Sequence, residues 1–453
     1  MGNGCRFNHE TVLSLMKKVN CYLISITLLF SLSSTSFAED LLSVYKLAVQ
    51  NDSQFRAAQA EYRALLETKT QSVALLLPSI SASAHYSEHD DETITSSTTP
   101  YKYKTNGYNL TLTQPLYRHQ NFVGLDQADA QVAQAVALFE SAKQDLIIRV
   151  AKQYFAVLAA EDDLEFAKAE KKSIAEQLVQ TEQRFQVGLI AITDVHEAKA
   201  RYDLAVARSI TAENTLAISN ETLSEITAKH HSNLAFLSIK HPLVKPQPAD
   251  INQWVKTAKE QNALLLSSKS NVDIARAEVS KQSAGHYPSL DLTANHAFTE
   301  YGEGVSTGQR KQNSNTLSIQ LNVPLYQGGI VNSRTRAAAY RLTQSREKHE
   351  QQTRATERQT RTAYLSVIAN ISQVKALKQA LASSMVALEA TQAGFEVGTR
   401  TAVDVLDSQG NLYRARRDYA KVRYNYVLET LTLKLAAGTL SDLDLELLNP
   451  WLK

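Results

Sequence analysis

Between Ser79 and Tyr86 apolar and polar residues take turns: Ile80, Ala82, Ala84 and Tyr86 alternate with Ser79, Ser81, Ser83 and His85. A period of two gives an extended strand one greasy and one polar face. The alternation returns at Tyr108, Leu110 and Leu112 between Asn109, Thr111 and Thr113, then at Leu290, Leu292, Ala294 and Phe298. A fourth run places Leu317, Ile319, Leu321, Val323 and Leu325 against Thr316, Ser318, Gln320 and Asn322. Four strands are expected, at about 78–88, 105–116, 288–299 and 314–325. Elsewhere the pattern is helical. Neither Gly nor Pro, the residues that most penalise helix interiors, interrupts Leu125–Val187 or Ile330–Ala393. Within the second stretch Val367, Ile371, Val374, Leu381, Met385 and Leu388 repeat every seven residues, broken only by Lys378, as a seam against a neighbouring helix would. Long helices are expected at about 119–187 and 330–397, each on the order of 95 Å long. Ordinary globular helices run about 11 residues. Shorter helices follow at about 193–229 and 402–437, and one of roughly 35 residues precedes each strand pair.

This plan is written twice. Shifted by 210 residues, "LLPSISASAHYS" meets "HYPSLDLTANHAF", and "AKQYFAVLA" meets "RTAYLSVIA", with Tyr154 over Tyr364. Phe185, Val187, Gly188, Asp194 and Val195 fall on Phe395, Val397, Gly398, Asp404 and Val405, and a shift of 209 brings "TLTQPLY" onto "IQLNVPLY". Matches kept in one order mark a duplicated unit. The expected organisation is a leader over 1–38, a first repeat over 39–240, a proline-rich linker over 241–249 and a second repeat over 250–453.

The leader follows from Lys17-Lys18, the apolar "CYLISITLLF" and the small residues before an expected cleavage after Ala38; translation from Met16 would give a conventional signal. Cys5 and Cys21 leave with it, so the exported chain has no thiol for a disulfide, a zinc site or a nucleophile. Losing Arg6, Lys17, Lys18 and Glu10 turns 48 basic and 46 acidic residues into 45 of each, which argues against a general nucleic-acid binder. The 11 histidines are scattered, and neither a glycine-rich phosphate loop nor a Ser-His-Asp grouping is visible, so no enzyme, cofactor or metal site is expected.

Past the leader no apolar run reaches the 18 or so residues that a spanning helix needs, so any crossing of a membrane falls to the strands. Alternating segments of about ten residues suit a transmembrane barrel, although a soluble sandwich at the end of the helices would carry the same pattern. Four strands cannot close, and an open edge in lipid leaves N–H and C=O groups without partners. A barrel must then be shared between copies, as a dimer, trimer or larger ring; spanning barrels begin at about eight strands. The polar segments "EHDDETITSSTTPYKYK" and "TEYGEGVSTGQRKQNS" are expected as outer loops. His85, His89, Asp90 and Asp91 are read there as loop polarity in preference to a metal site.

At the far end lie "VGLIAITDV" and "VGTRTAVDVLD". Gly188 and Gly398 stand where a helix end takes the left-handed geometry, so each phrase is expected to turn a helical hairpin. Asp404 and Asp407, three apart, share a helix face. Thr401 with Asp404 fits a helix cap, while a ring of such faces would gather carboxylates round one axis and favour cations. With these phrases and "PLYQGG", the mature chain resembles the TolC family of outer-membrane channels along essentially its whole length. The resemblance implies a mainly α fold with a β-barrel portion. Four strands per chain would enter a shared 12-stranded outer-membrane barrel in a homotrimer, continued by a long α-helical barrel, the periplasmic tunnel. It implies an exit duct without catalysis, embedded in outer-membrane lipid and served by a periplasmic adaptor protein with an inner-membrane pump or ABC transporter. It further implies a gate latch of Arg400 with Thr193 and Asp194, with Phe395 where the family pattern has a tyrosine hydroxyl. A collar from 230–250 and 438–453 is implied too, as is end-to-end stacking of the helix at about 193–229 on that at about 251–283. A periplasmic adaptor or a structural coiled-coil envelope protein would account for the helices, but neither needs two copies with four amphipathic strands.

Overall fold

The computed structural model describes residues 38–91, 101–231, 233–238, 241–302 and 310–452. Apart from Ala38, the expected leader with both cysteines and Met16 lies outside the described residues, as do the centres of the two expected outer loops. The first copy comprises α1 (Leu41–Asn51), α2 (Ser53–Ala74), β1 (Ser79–Asp91), β2 (Tyr101–Arg118), α3 (His119–Gln186) and α4 (Ile192–Thr227). The second comprises α5 (Ile251–Gln261), α6 (Ala263–Ser283), β3 (Ser289–Tyr301), β4 (Arg310–Asn322), α7 (Ile330–Glu396) and α8 (Ala402–Ala437), followed by α9 (Asp442–Leu448). At 68 and 67 residues, α3 and α7 each run about 100 Å.

The helices of roughly 35 residues expected before the strands are each broken in two. At Asp52 and Asn262 the backbone turns extended, with ψ of 117° and 119°. Their side chains accept the N–H of Phe55 (2.8 Å) and Leu265 (3.0 Å). A short polar side chain that caps a new helix competes with continuing the old one. The end-to-end stacking also differs from expectation, because each joint is made within one copy. Asn51 donates to Thr227 O at the end of α4, and Asn262 to Ala436 O at the end of α8, both at 3.0 Å. Gly438 closes α8 with φ of 75°; a Cβ there would stand 2.3 Å from Gln261 O.

The strands form one antiparallel sheet in the order β1-β2-β3-β4, so the β2–β3 pairing joins the two copies. The register aligns Ile80, Leu112, Ala294 and Leu317 in one row, and Ser81, Thr111, Asn295 and Thr316 in the next. Polar rows bond across strands: Asn295 to Thr111 at 3.2 Å and Thr293 with Ser318 at 2.6 Å. Ile80, Leu317, Ile319 and Leu321 on the apolar face are exposed. Residues expected in loops extend the strands instead, where Asp90 meets Lys102 at 2.7 Å, Glu88 meets Lys104 at 4.0 Å and His89 stacks on Tyr103. Opposite charges across an antiparallel pair stabilise it without needing an apolar face. At the other end β4 stops at Asn322, short of Val323 and Leu325, ahead of Pro324, which has no N–H to give a ladder. Pro115 is carried in β2 because the register shifts between it and Tyr117.

The main core sits at the equator, where Leu146 to Leu158 of α3 and Val422 to Leu433 of α8 meet α1, α9 and the collar segments. Tyr154 is fully buried there and donates to Ala235 O at 2.7 Å. Leu237 pairs with Leu452 in an isolated bridge, which ties the inter-copy segment to the C-terminal segment. The heptad seam is buried only in its upper part, at Val367, Ile371 and Val374; Leu381 and Leu388 are half-buried and Met385 is exposed. Below the equator, Glu170 of α3 is 2% exposed and bridges the copies: Arg208 of α4 donates to it at 3.1 Å and Arg417 of α8 at 3.0 Å.

Removing both cations, with Arg208→Ala and Arg417→Ala, strands the buried Glu170 carboxylate and is expected to destabilise the fold by about 3–5 kcal/mol. Glu170→Ala lets the guanidinium groups turn to water and is expected to cost roughly 1–3 kcal/mol. Thermal loss of helical circular dichroism compares them; a double variant at least as stable as Glu170→Ala would contradict the burial argument.

Candidate functional site at the hairpin tips

Both long helices end alike. Val187 N–H reaches Gln183 O, Gly188 N–H reaches Phe185 O at 2.9 Å and Leu189 N–H reaches Arg184 O at 2.9 Å. In the second copy Gly398 N–H reaches Phe395 O at 3.2 Å and Thr399 N–H reaches Gly394 O at 2.8 Å. With φ of 74° and 80°, Gly188 and Gly398 hold the left-handed position that lets the following N–H groups, Leu189 in the first copy and Thr399 with Arg400 in the second, fold back on the helix end.

The returning helices begin differently. Thr401 and Asp404 form a reciprocal cap: Asp404 N–H donates to Thr401 Oγ1 at 3.2 Å, and Thr401 N–H donates to Asp404 Oδ2 at 2.9 Å. The Thr401 backbone bond, then its hydroxyl, hold the exposed Asp404 carboxyl below the usual carboxylate range. At the matching place in the first copy stands Ala191, which makes no side-chain cap. Asp404 and Asp407 do share a face of α8, but each is engaged within the chain. Asp407 accepts from Arg201 of α4 at 2.9 Å, and Arg201 also lies 3.4 Å from Glu197.

The structure does not bring Arg400 to Thr193 and Asp194; among the described residues Arg400 makes neither an ion pair nor a hydrogen bond with them. Its N–H donates to Gly394 O at 3.2 Å and its side chain is exposed. Besides Arg201 on Asp407, the hairpins are joined by Arg184, whose guanidinium lies 4.1 Å from the Phe395 ring centroid while Nη1 donates to Phe395 O at 3.5 Å. A cation over an aromatic face is attracted by the ring quadrupole. Phe395 is held in place by Ala402 and Val405 in a small cluster of its own. Between the hairpins lies a cleft of about 710 Å³ walled by Gln177, Gln180, Gln183, Gln392 and Gln409. Gln177 Nε2 and Gln409 Oε1 are buried in it without partners. Sequence reasoning missed Arg184 and Arg201: neither falls on an arginine when shifted by 210, and their partners are over 200 residues away.

Residues 44–229 and 254–439 each match the outer membrane efflux protein family, one copy apiece. The chain is 38% identical to outer membrane protein TolC of Vibrio cholerae, over 97% of this chain and 99% of that protein. It is 35% identical to TolC of Escherichia coli, over 96% and 89%, and 30% identical to the alkaline protease secretion protein AprF of Pseudomonas aeruginosa, over 95% and 91%. Among solved structures, the Campylobacter jejuni CmeC outer membrane channel superposes with a TM-score of 0.77 at 16% identity, covering 88% of this chain and 86% of that one. VceC of Vibrio cholerae gives 0.74 at 16% identity, covering 88% and 96%; these two likenesses concern the fold. A duplicated strand-and-hairpin unit, matched copy by copy and along nearly its whole length, makes this chain a member of the outer membrane efflux protein family, resident in the outer membrane and reaching into the periplasm.

Proposed function

We propose that three copies assemble into a twelve-stranded barrel and a twelve-helix tunnel that carries cargo out of the cell, taken from an inner-membrane pump or ABC transporter through a periplasmic adaptor. The observation that carries this reading is the four-stranded sheet with β1 and β4 at its margins and one apolar face exposed, set on helices about 100 Å long. Such margins have no partner in lipid until neighbouring copies pair with them. Relatives named for efflux and for protease secretion support small molecules and proteins alike as cargo. The chain itself supplies no chemistry in this reading, only a path. Detergent-extracted protein reconstituted in planar bilayers, with its oligomer mass measured alongside, tests it. Discrete conductance from a trimer is expected; a water-soluble single subunit that never permeabilises lipid would overturn it.

The tips act as the gate in this reading. A polar cleft bridged by Arg184 on Phe395 and Arg201 on Asp407 comes apart more readily than a dry core, which suits hairpins that must separate. Because Arg400 has no partner in Thr193 or Asp194 of its own chain, the latch proposed for these residues is a contact between neighbouring copies, where a guanidinium can bond a carboxylate and a hydroxyl together. The ring proposed for Asp404 and Asp407 carries less net charge than two free acids per copy, since Arg201 offsets Asp407.

Asp404→Ala with Asp407→Ala is expected to abolish cation preference and divalent-cation block in single-channel recordings, and Arg201→Gln to strengthen both; unchanged recordings would remove the ring. Arg400→Ser is expected to raise basal conductance, and a channel that stays equally shut would count against the latch. The depressed pKa of Asp404 keeps its charge as pH falls through the ordinary carboxylate range, and the charge is lost only at the lower folded value. Protonation of Asp404 in acid is expected to narrow the pore by relieving repulsion within the ring, and Thr401→Ala, which removes the hydroxyl bond that helps hold that carboxyl low, should shift the onset of narrowing to higher pH.

A further inference from the structure

Lys378 occupies a seam position that should be apolar, and the tip does not explain it. It lies near the equator on α7, at the mouth of a cavity of about 170 Å³ beneath the collar segment at His241 and Leu243. Lys375 and Arg423 line the same cavity, with His241, Tyr419 and Tyr426, and no carboxylate does. Three fixed cations thus face one small space. Arg423 is anchored by Nη2 donating to Leu237 O and Ser238 O, both at 2.8 Å, with its guanidinium 5.7 Å from the Tyr419 ring centroid. Its charge also reaches Asp162, whose carboxylate accepts from Tyr424 OH at 2.7 Å. Lys375 and Lys378 have neither an ion pair nor a hydrogen bond among the described residues, and both side chains are exposed. The His241 ring sits 4.2 Å from that of Trp451 and 5.4 Å from that of Tyr426, and both of its nitrogens are buried without a hydrogen-bond partner.

The His241 nitrogens are shut off from solvent and lie against the backbone at His241 and Pro242, so the charged groups open to an occupant are Lys375, Lys378 and Arg423. The duplication supplies an internal control. Shifted back by 210, Lys375 and Arg423 fall on Glu165 and Glu213 while Lys378 falls on Lys168, so the first copy carries acids at two of the three positions. Three bases together are therefore a property of the second copy, although the lysine at 378 belongs to the shared plan.

From this convergence we infer that the equatorial cavity under the collar binds a small oxyanion, phosphate or carboxylate in chemistry, on Lys375, Lys378 and Arg423. Tyr419 and Tyr426 wall the cavity beside the charged groups. The occupant would link α7, α8 and the collar segment, the three elements that meet there.

Isothermal titration of the full-length detergent-solubilised protein with inorganic phosphate, and separately with succinate, tests this. Saturable binding of one or both probes at one site per chain is expected, and which probe binds distinguishes a phosphate from a carboxylate source. Lys375→Gln with Lys378→Gln, two exposed side chains whose loss leaves the core untouched, should weaken it at least tenfold. Lys269→Gln, an exposed lysine on α6 outside the cavity, should leave it within about twofold. Absence of saturable binding by both probes, or equal loss in the Lys269→Gln control, would overturn the site.

Discussion

An unpaired strand edge is intolerable in lipid, and the architecture follows from that constraint. β1 and β4 end the sheet, and in hydrocarbon their backbone groups have nothing to bond except a neighbouring copy. Closing the barrel by association brings the long helices side by side as well. The exposed apolar positions of α4 and α7, such as Leu204, Ile210, Leu365 and Val386, lie along helix faces that a single copy does not cover. The lower part of the heptad seam, at Met385, belongs to the same uncovered surface, which explains why a continuous apolar spacing in the sequence is only partly buried within one chain.

Stability is distributed unevenly along the helices. The equator holds nearly all of the large buried side chains, from Leu41 to Leu448, and the collar closes over it. Toward the tips the buried clusters shrink to a few residues: Ile174, Ala198, Ala205 and Leu406, then Phe395, Ala402 and Val405. Regions with few buried apolar contacts open at lower free energy than the rest of a fold. The gradient places the rigid body in the middle and the movable parts at the end, with the Glu170 cluster at the boundary between them.

Much of this was legible because it is local or periodic. Alternation located all four strands, the absence of Gly and Pro located α3 and α7, and Thr401 followed by Asp404 announced its own cap. The breaks at Asp52 and Asn262 were missed because a periodic apolar face runs through them, although a short polar residue at the same place in both copies was a usable signal. Strand ends were misjudged where charge pairs such as Asp90 with Lys102 replace the apolar face. Arg184 on Phe395 and Arg417 on Glu170 were out of reach, since each joins residues separated by 211 and 247 positions and only folding defines the pair. The tip residues named from family resemblance are the reverse case: Gly188 and Gly398 are explained by one chain, whereas Arg400 has a role only if copies meet.

Ala191 stands where the second hairpin has Thr401, so the two loops at the tunnel mouth are unequal in stiffness. The first turn of α4 carries a backbone N–H that finds only Ala191 O, while α8 starts from a closed pair of side-chain bonds. Threefold repetition of that inequality makes the rim alternate between firm and yielding posts, three of each. Such a rim would deform as a triangle, with its compliant corners giving way first under a load that presses evenly on all six.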